Sequence, residues 1–169
     1  TGNVLFSRNS IGYAEDRDGN LKPFAVNVPR ITNKGLLVEE GRTNSFLYSE
    51  QFDNAAWNKQ AVNVTPNQAV APDGNTTADL ILTDNSSNYH YVQQVGTTAT
   101  TVSNSVYVKP YNARYVVLEI VDNATYVNGG FAVYDVHLGR VTTFGNVGTG
   151  TGTFANIQVF NNGWMRLSI

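Results

Sequence analysis

The sequence predicts an all-β fold: an antiparallel, two-sheet sandwich of jelly-roll-like type, preceded by an irregular N-terminal arm. Helical periodicity is nearly absent from the 169 residues, and apolar residues instead alternate with period two or form short β-branched and aromatic blocks. Turn-forming clusters of Asn, Asp, Gly and Ser separate these blocks by about 8–12 residues. Many short strands at such a spacing are typical of a sandwich or jelly roll.

Nine segments carry the strand pattern, and we expect each of them to form one strand. In chain order they are 61–65, 78–82, 89–95, 103–110, 115–122, 130–136, 141–144, 153–160 and 164–169. Tight turns are predicted at 72–75 and 161–163, where the sequences Pro-Asp-Gly-Asn and Asn-Asn-Gly combine turn-favouring side chains with a glycine. A single helical turn is expected at 52–57.

Residues 1–43 lack the regular alternation and form the predicted arm, whereas residues 44–169 form the predicted sandwich. The arm holds a charged run at 15–18 that is followed by Gly19 and Asn20, which predicts a hairpin turn at this point. The apolar residues of the arm need a surface to cover, because large exposed apolar patches are unusual on soluble proteins. That surface belongs either to this sandwich or to a neighbouring subunit.

The composition limits the classes of partner. Charged residues make up 14% of the chain, compared with roughly 25% in ordinary globular domains, and the net charge is −2. Binding to nucleic acid or to an anionic membrane is not expected, because both need clustered Lys and Arg. The polar surface comes from Asn, Thr, Ser and Gly instead, which suits hydroxyl-rich ligands or a crowded assembly. The chain has no Cys, which excludes disulfides and thiolate chemistry.

A catalytic function is not expected either. Hydrolysis of a glycan needs two carboxyl groups about 5–10 Å apart, and Glu119, in the apolar segment 115–121, has no recognisable partner in the sequence. His90 and His137 are not accompanied by the Gly-x-Ser-x-Gly motif of a nucleophile elbow. The Gly-Thr repeat at 148–153 lies between predicted strands with no helix to hold a phosphate, so we interpret it as a flexible hairpin tip.

Several short motifs follow one another in a specific order along the chain. They are Phe6-Ser7-Arg8-Asn9-Ser10, Val28-Pro29-Arg30, Gly35-Leu36-Leu37-Val38-Glu39-Glu40-Gly41-Arg42-Thr43-Asn44, Tyr48-Ser49-Glu50-Gln51-Phe52-Asp53, Ala71-Pro72-Asp73-Gly74 and Asn162-Gly163-Trp164-Met165-Arg166. This order resembles a family of modules in bacteriophage structural proteins, especially tail fibres, tail spikes and related head or virion appendages. Those modules are in turn similar to the β-sandwich carbohydrate-binding modules of polysaccharide-degrading enzymes.

The chain departs from the family pattern at two points. Met165 stands where the family usually has an aromatic residue, and the chain stops at Ile169, where the family continues into one or two further strands. The resemblance therefore implies a sandwich that is truncated at its C-terminal strands. It also implies a position for a structural calcium ion beside Phe52-Asp53, with Asp53 as the candidate ligand. Because the strand that usually completes such a site is missing, we expect no cofactor.

Aromatic side chains are the main candidates for ligand binding, because the apolar faces of sugars stack on Trp and Tyr while polar side chains bond the hydroxyl groups. The predicted carbohydrate-binding residues are Tyr107, Tyr115, Glu119 and Arg166, with Tyr89, Tyr91 and Gln93 as a second cluster. Together with Lys109, the first set would resemble the concave sheet of a glycan-binding module. The alternative is that the rings belong to the core, which we expect for Trp57 and Trp164.

These expectations lead to a non-catalytic virion module that binds host-surface carbohydrate. One alternative is a purely structural or assembly module of a phage appendage or capsid. Another is a carbohydrate-binding module of a secreted polysaccharide-degrading enzyme, although enzyme-borne modules usually start directly at the sandwich without such an arm. The expected partners are a glycan or polysaccharide, other virion proteins and further copies of the chain in a homo-oligomer, of which a trimer is one form compatible with the sequence.

Overall fold

The computed structural model describes residues 6–39, 43–96, 101–122 and 127–169, all of which lie in strands, turns or loops. The all-β class is therefore confirmed. The chain divides into two compact units, Thr1–Thr98 and Ala99–Ile169. The predicted boundary between arm and sandwich falls inside the first unit and stays a prediction. The described residues include no helix with the length and apolar character that crossing a bilayer requires.

The first unit contains eight short strands that form four separate antiparallel pairs. The strands are β1 (Gly12–Glu15), β2 (Leu21–Phe24), β3 (Ile31–Thr32), β4 (Gly35–Leu36), β5 (Asn58–Gln60), β6 (Val62–Ala69), β7 (Ala78–Thr83) and β8 (Tyr91–Gln93). Strand β1 pairs with β2, β3 with β4, β5 with β8 and β6 with β7. Three of these pairs join neighbours in the sequence, whereas β5–β8 joins segments more than thirty residues apart.

The arm is more regular than the sequence predicts, because it forms the hairpins β1–β2 and β3–β4. The turn between β1 and β2 lies where it was predicted, and it is held by the carboxylate of Asp16. This carboxylate accepts the backbone N–H groups of Asp18 (3.0 Å) and Asn20 (2.9 Å), while Gly19 adopts a positive φ of 85°. The side chain that organises this turn is local, but alternation does not reveal it in strands of four residues.

The helical turn expected at 52–57 is wrong. Residues 48–57 instead form successive turns, in which the N–H of Gln51 donates to the carbonyl of Tyr48 (3.0 Å) and the N–H of Trp57 donates to that of Asn54 (3.1 Å). The side chain of Asn54 also accepts the N–H of Ala56 (2.9 Å), a local bond that competes with helix formation.

The second unit is a two-sheet sandwich, as the sequence predicts. Its strands are β9 (Ser105–Val108), β10 (Tyr115–Val121), β11 (Gly129–Asp135), β12 (Arg140–Val147), β13 (Asn156–Val159) and β14 (Met165–Ser168). One antiparallel sheet has the order β10-β11-β12, and the other has the order β13-β14-β9. A jelly-roll connectivity for this arrangement stays a prediction.

The core of the second unit lies between its two sheets. It is built from the inward positions of β11 and β14 and from the residue that follows β11, and its buried members are Ala132, Tyr134, Val136, Met165 and Leu167. The period-two alternation explains this set, because every second side chain of a strand points to the same face. The hydroxyl of Tyr134 also donates to the carbonyl of Ser168 (2.6 Å), which ties one sheet to the other. Trp164 is buried as predicted.

The Gly-Thr repeat is not a hairpin tip. Strand β12 pairs with β11, and β13 pairs with β14, so the segment at 148–155 passes from one sheet to the other. Asn146 and Asn128 hold this crossing: Asn146 Oδ1 accepts the N–H of Thr153 (3.2 Å), and Asn128 Oδ1 accepts that of Thr149 (2.9 Å). Sequence pattern alone does not distinguish a hairpin from a crossing between sheets, because both need turn residues between strands.

Candidate functional site

Tyr107 and Arg166 are direct neighbours across the pairing of β9 with β14. Both lie on the outward face of the sheet, because Val106, Val108 and Leu167 pack on the core. Arg166 is exposed and donates from Nη2 to the hydroxyl of Ser105 (3.3 Å). The structure thus brings together two of the four residues predicted for the first binding face.

Tyr115 and Glu119 lie on the outward face of β10, since Val116 and Leu118 of this strand pack on the core. Strand β10 belongs to the sheet opposite to that of β9 and β14. The outward faces of two sheets that share a core point away from each other. The expectation of a single face containing all four residues is therefore wrong, because alternation identifies the side of a strand but not its sheet.

The rings of the two tyrosines predicted for the first binding face are partly engaged by neighbouring side chains. Tyr107 is half-buried and stacks on Phe160 with 6.1 Å between ring centroids. Tyr115 is exposed, but the guanidinium of Arg114 lies 5.2 Å from its ring centroid. Cation–π contacts and stacking of this kind stabilise the protein itself and leave less ring surface for a ligand.

The second predicted cluster lies on the pair β5–β8 in the first unit. Tyr91 of β8 is opposite Gln60 of β5, and Gln93 is opposite Asn58. Alternation places these four side chains on one side of the pair, which we call the β5–β8 face. Tyr91 is 38% exposed on this face, and Tyr89, just before β8, is 87% exposed. The structure thus brings the predicted Tyr91 and Gln93 together with two amides that the sequence did not reveal.

The opposite side of the β5–β8 pair is partly buried. Lys59 and Val92 occupy it, directly across from each other. The ammonium group of Lys59 donates to the carbonyl oxygens of Asn54 (2.7 Å) and Trp57 (3.0 Å), so this cation is committed to the backbone.

A cleft of about 690 Å³ adjoins the β5–β8 face. Its lining consists of Ser45, Leu47, Ala56, Asn58, Gln93, Gln94, Val95 and Gly96. Gln94 fixes one wall: its Oε1 accepts the N–H of Leu47 (2.6 Å), and its Nε2 donates to the carbonyls of Leu47 (2.9 Å) and Ala56 (3.3 Å). The side-chain amide of Gln94 thus bonds both the N–H and the carbonyl of Leu47, as the backbone of a neighbouring strand would.

An aromatic cluster is formed by residues next to this wall in the sequence. Trp57 is buried, as the sequence predicts, and its ring centroid lies 5.4 Å from that of Phe46 and 4.9 Å from that of Phe52. Its indole N–H donates to the carbonyl of Tyr48 (2.9 Å). Buried Trp rings of this kind stabilise through their large apolar area and satisfy their one polar group. The turns before β5 are therefore anchored at several points.

Asp53 lies near two other carboxylates, Glu50 and Asp79, around a cavity of about 240 Å³. Both carboxylate oxygens of Asp79 accept backbone N–H groups, from Phe52 (2.7 Å) and from Asn67 (3.1 Å). In the described part of the chain, no three His, Asp or Glu side chains are grouped as metal ligands would be. The calcium site at Asp53 stays a prediction without geometric support.

His90 pairs with Asp84 through a contact of 3.3 Å between Nε2 and Oδ1. The same carboxylate oxygen accepts the N–H of Ser86 (2.9 Å), as in a typical Asx turn. The imidazole thus faces a carboxylate at the surface rather than a hydroxyl nucleophile. This arrangement braces the loop between β7 and β8.

The comparisons with known proteins leave the chain without an assigned family. No protein-family model matches it, and no curated protein sequence is significantly similar to it. The chemistry of the exposed side chains is thus the basis for inferring what the chain binds.

Proposed function

We propose that this chain is a non-catalytic module of a bacteriophage virion that binds host-surface carbohydrate through the β5–β8 face. The observation that carries the proposal is that an exposed Tyr91 ring shares one side of the strand pair with three amides, those of Asn58, Gln60 and Gln93. The resemblance of the chain to virion modules supports the location, and the cleft beside the face supports a ligand that extends past the ring.

This arrangement suits a sugar for two reasons. The ring of Tyr91 offers an apolar surface for the C–H face of a pyranose, and amides both donate to and accept from hydroxyl groups. In the described part of the chain, the amides of Asn58, Gln60 and Gln93 have no hydrogen-bond partner, so they are available to a ligand. A shallow site of this type binds weakly, and several copies on one particle raise the overall affinity through effective concentration.

The test is the substitution Tyr91→Ala in the full chain. We expect affinity for host-surface polysaccharide to fall about ten-fold, a loss of about 1.4 kcal/mol, because the stacking surface is removed. Since the side chain of Tyr91 is exposed, the melting temperature should change little. Tyr111→Ala is the matched control, because Tyr111 is 73% exposed and lies in the second unit. Calorimetric titration and thermal unfolding measure both quantities.

Two results would contradict the proposal. If Tyr107→Ala or Tyr115→Ala weakens binding while Tyr91→Ala does not, the contact lies on the second unit. If the protein, displayed in many copies on beads, binds no glycan of a broad array, carbohydrate binding is excluded and the structural alternative takes its place.

A second candidate function, assembly of a phage appendage or capsid, is favoured by exposed apolar side chains in the arm. They include Phe6, Ile11, Val26, Val28, Ile31, Leu36 and Val38. Ile31 and Leu36 form an exposed cross-strand pair in the hairpin β3–β4. The two functions are compatible, since a virion module can bind its ligand through one surface and its neighbours through another. A carbohydrate-binding module of a secreted enzyme would use the same β5–β8 face but has no need of such an arm.

A further inference from the structure

We infer that the cleft beside the β5–β8 face takes an uncharged sugar chain rather than an acidic polysaccharide. The inference rests on the proposed function and specifies its ligand class. It is carried by the lining of the cleft, in which none of the described residues bears a charge.

The polar groups of the lining match hydroxyl groups. Asn58 and Gln93 lie directly opposite each other, and both side chains end in an amide. An amide has two N–H donors and a carbonyl acceptor, and a sugar hydroxyl can both donate and accept, so each group can satisfy the other. A carboxylate only accepts, so where it takes the place of a hydroxyl it offers no donor to the amide oxygens of Asn58 and Gln93.

Among the described residues, the lining of the cleft also offers no cation to an acidic ligand. Lys59, the cation of β5, lies on the other side of the strand pair and is bonded to two backbone carbonyls. Transfer of a carboxylate from water to a partly apolar site without a counter-charge is unfavourable. The side chains of Leu47 and Val95 are exposed at the cleft and would make this environment still less suitable for an anion.

The experiment measures binding of the full chain to neutral glycans (glucans, mannans and galactans) and to acidic ones (hyaluronan, polysialic acid and polygalacturonate). Each titration is made at low ionic strength and at about 0.5 M salt, where the range of electrostatic attraction shrinks to a few ångströms. We expect neutral glycans to bind, with a Kd that changes less than about two-fold between the salt concentrations. Tyr91→Ala should weaken this binding about ten-fold, and Tyr111→Ala should not.

The alternative outcomes separate the two proposals. Acidic glycans that bind with a salt-sensitive Kd and lose affinity in Tyr91→Ala would overturn the inference on charge and keep the β5–β8 face as the site. Acidic glycans whose binding is lost in Arg166→Ala, but not in Tyr91→Ala, would overturn both, since the ligand would then lie on the second unit. Absence of binding to every glycan would overturn the proposed function and, with it, the inference on ligand class.

Discussion

Asp135, at the end of β11, is almost completely buried and accepts hydrogen bonds from Arg114 and Leu138. Its Oδ2 receives Nε (3.1 Å) and Nη2 (2.9 Å) of Arg114, and its Oδ1 receives the N–H of Leu138 (3.1 Å). The hydrogen bonds from Arg114 are the main cause of a pKa of Asp135 below its usual value, and the bond from Leu138 adds to them, while desolvation opposes the shift. Asp135 thus links Arg114, just before β10, to Leu138, which follows β11. Its role is to stabilise the fold.

This lowered pKa predicts how the stability of the protein depends on pH. The ionised form of Asp135 stabilises the native state above the unfolded-state pKa of about 3.9, and this contribution is lost as the pH falls through the lower native pKa. Asp135→Asn should therefore lower the melting temperature at pH 7 and reduce its decline below about pH 4. Thermal unfolding between neutral and acidic pH measures the difference.

Arg114→Met provides the matched control for this prediction. Because it removes the main cause of the pKa shift, it should reproduce part of the effect of Asp135→Asn on the pH profile. Profiles of both variants that run parallel to that of the original protein would show that the ion pair does not contribute to acid stability.

Among the elements of the second unit, the crossing between sheets depends on the close approach of two backbones. A Cβ atom built on Gly150 would lie 1.9 Å from the carbonyl oxygen of Gly129, far inside van der Waals contact. The N–H of Gly150 donates to the carbonyl of Val147 (2.9 Å), which fixes the turn in this position. The Gly-Thr repeat thus packs on the first residues of β11.

The substitution Gly150→Ala tests this packing. The added methyl group must displace backbone atoms, and we expect a loss of about 1–3 kcal/mol in the free energy of unfolding. Thr151→Ala is the control, because Thr151 is exposed in the same segment and should change stability by less than about 0.5 kcal/mol. Urea denaturation gives both values. Equal stability of the two variants would mean that the crossing can move away from β11 without cost.

At the scale of the whole molecule, the exposed apolar side chains of the arm predict self-association or association with other proteins. Val38 is 80% exposed, and Ile31 and Leu36 expose more than half of their side chains. Replacing all three with Ser should shift the chain from oligomer to monomer, because the apolar contact area is removed. Size-exclusion chromatography with light scattering measures the mass in solution.

The control for the assembly prediction is Leu138→Ser, which removes an exposed apolar side chain of the second unit. It should leave the oligomeric state unchanged. A chain that is monomeric before any substitution at every concentration, or that keeps its oligomeric mass in the triple variant, would contradict self-association through the arm.

The strand pattern of the sequence was sufficient to locate most elements. In β14, period-two alternation agrees with the burial of Met165 and Leu167 and with the exposure of Arg166. Alternation is reliable here because one face of the strand packs on the core and the other is solvated. The same pattern failed for the hairpins of the arm, which have strands of two to four residues and are held by single side chains such as Asp16.

The composition of the candidate site depended on pairings between distant residues. Tyr91 and Gln93 were predicted from their own segment, but Asn58 and Gln60 entered the site through a pairing that links β5 to β8. Likewise, the assignment of β9 and β10 to opposite sheets separated Tyr107 from Tyr115. Local periodicity determines which side chains of a strand point outward, whereas strand pairing and packing of the sheets determine which outward side chains meet. Periodicity is a property of neighbouring residues, and pairing is a property of the folded chain, and this is why the sequence predicted strands and faces more reliably than the site.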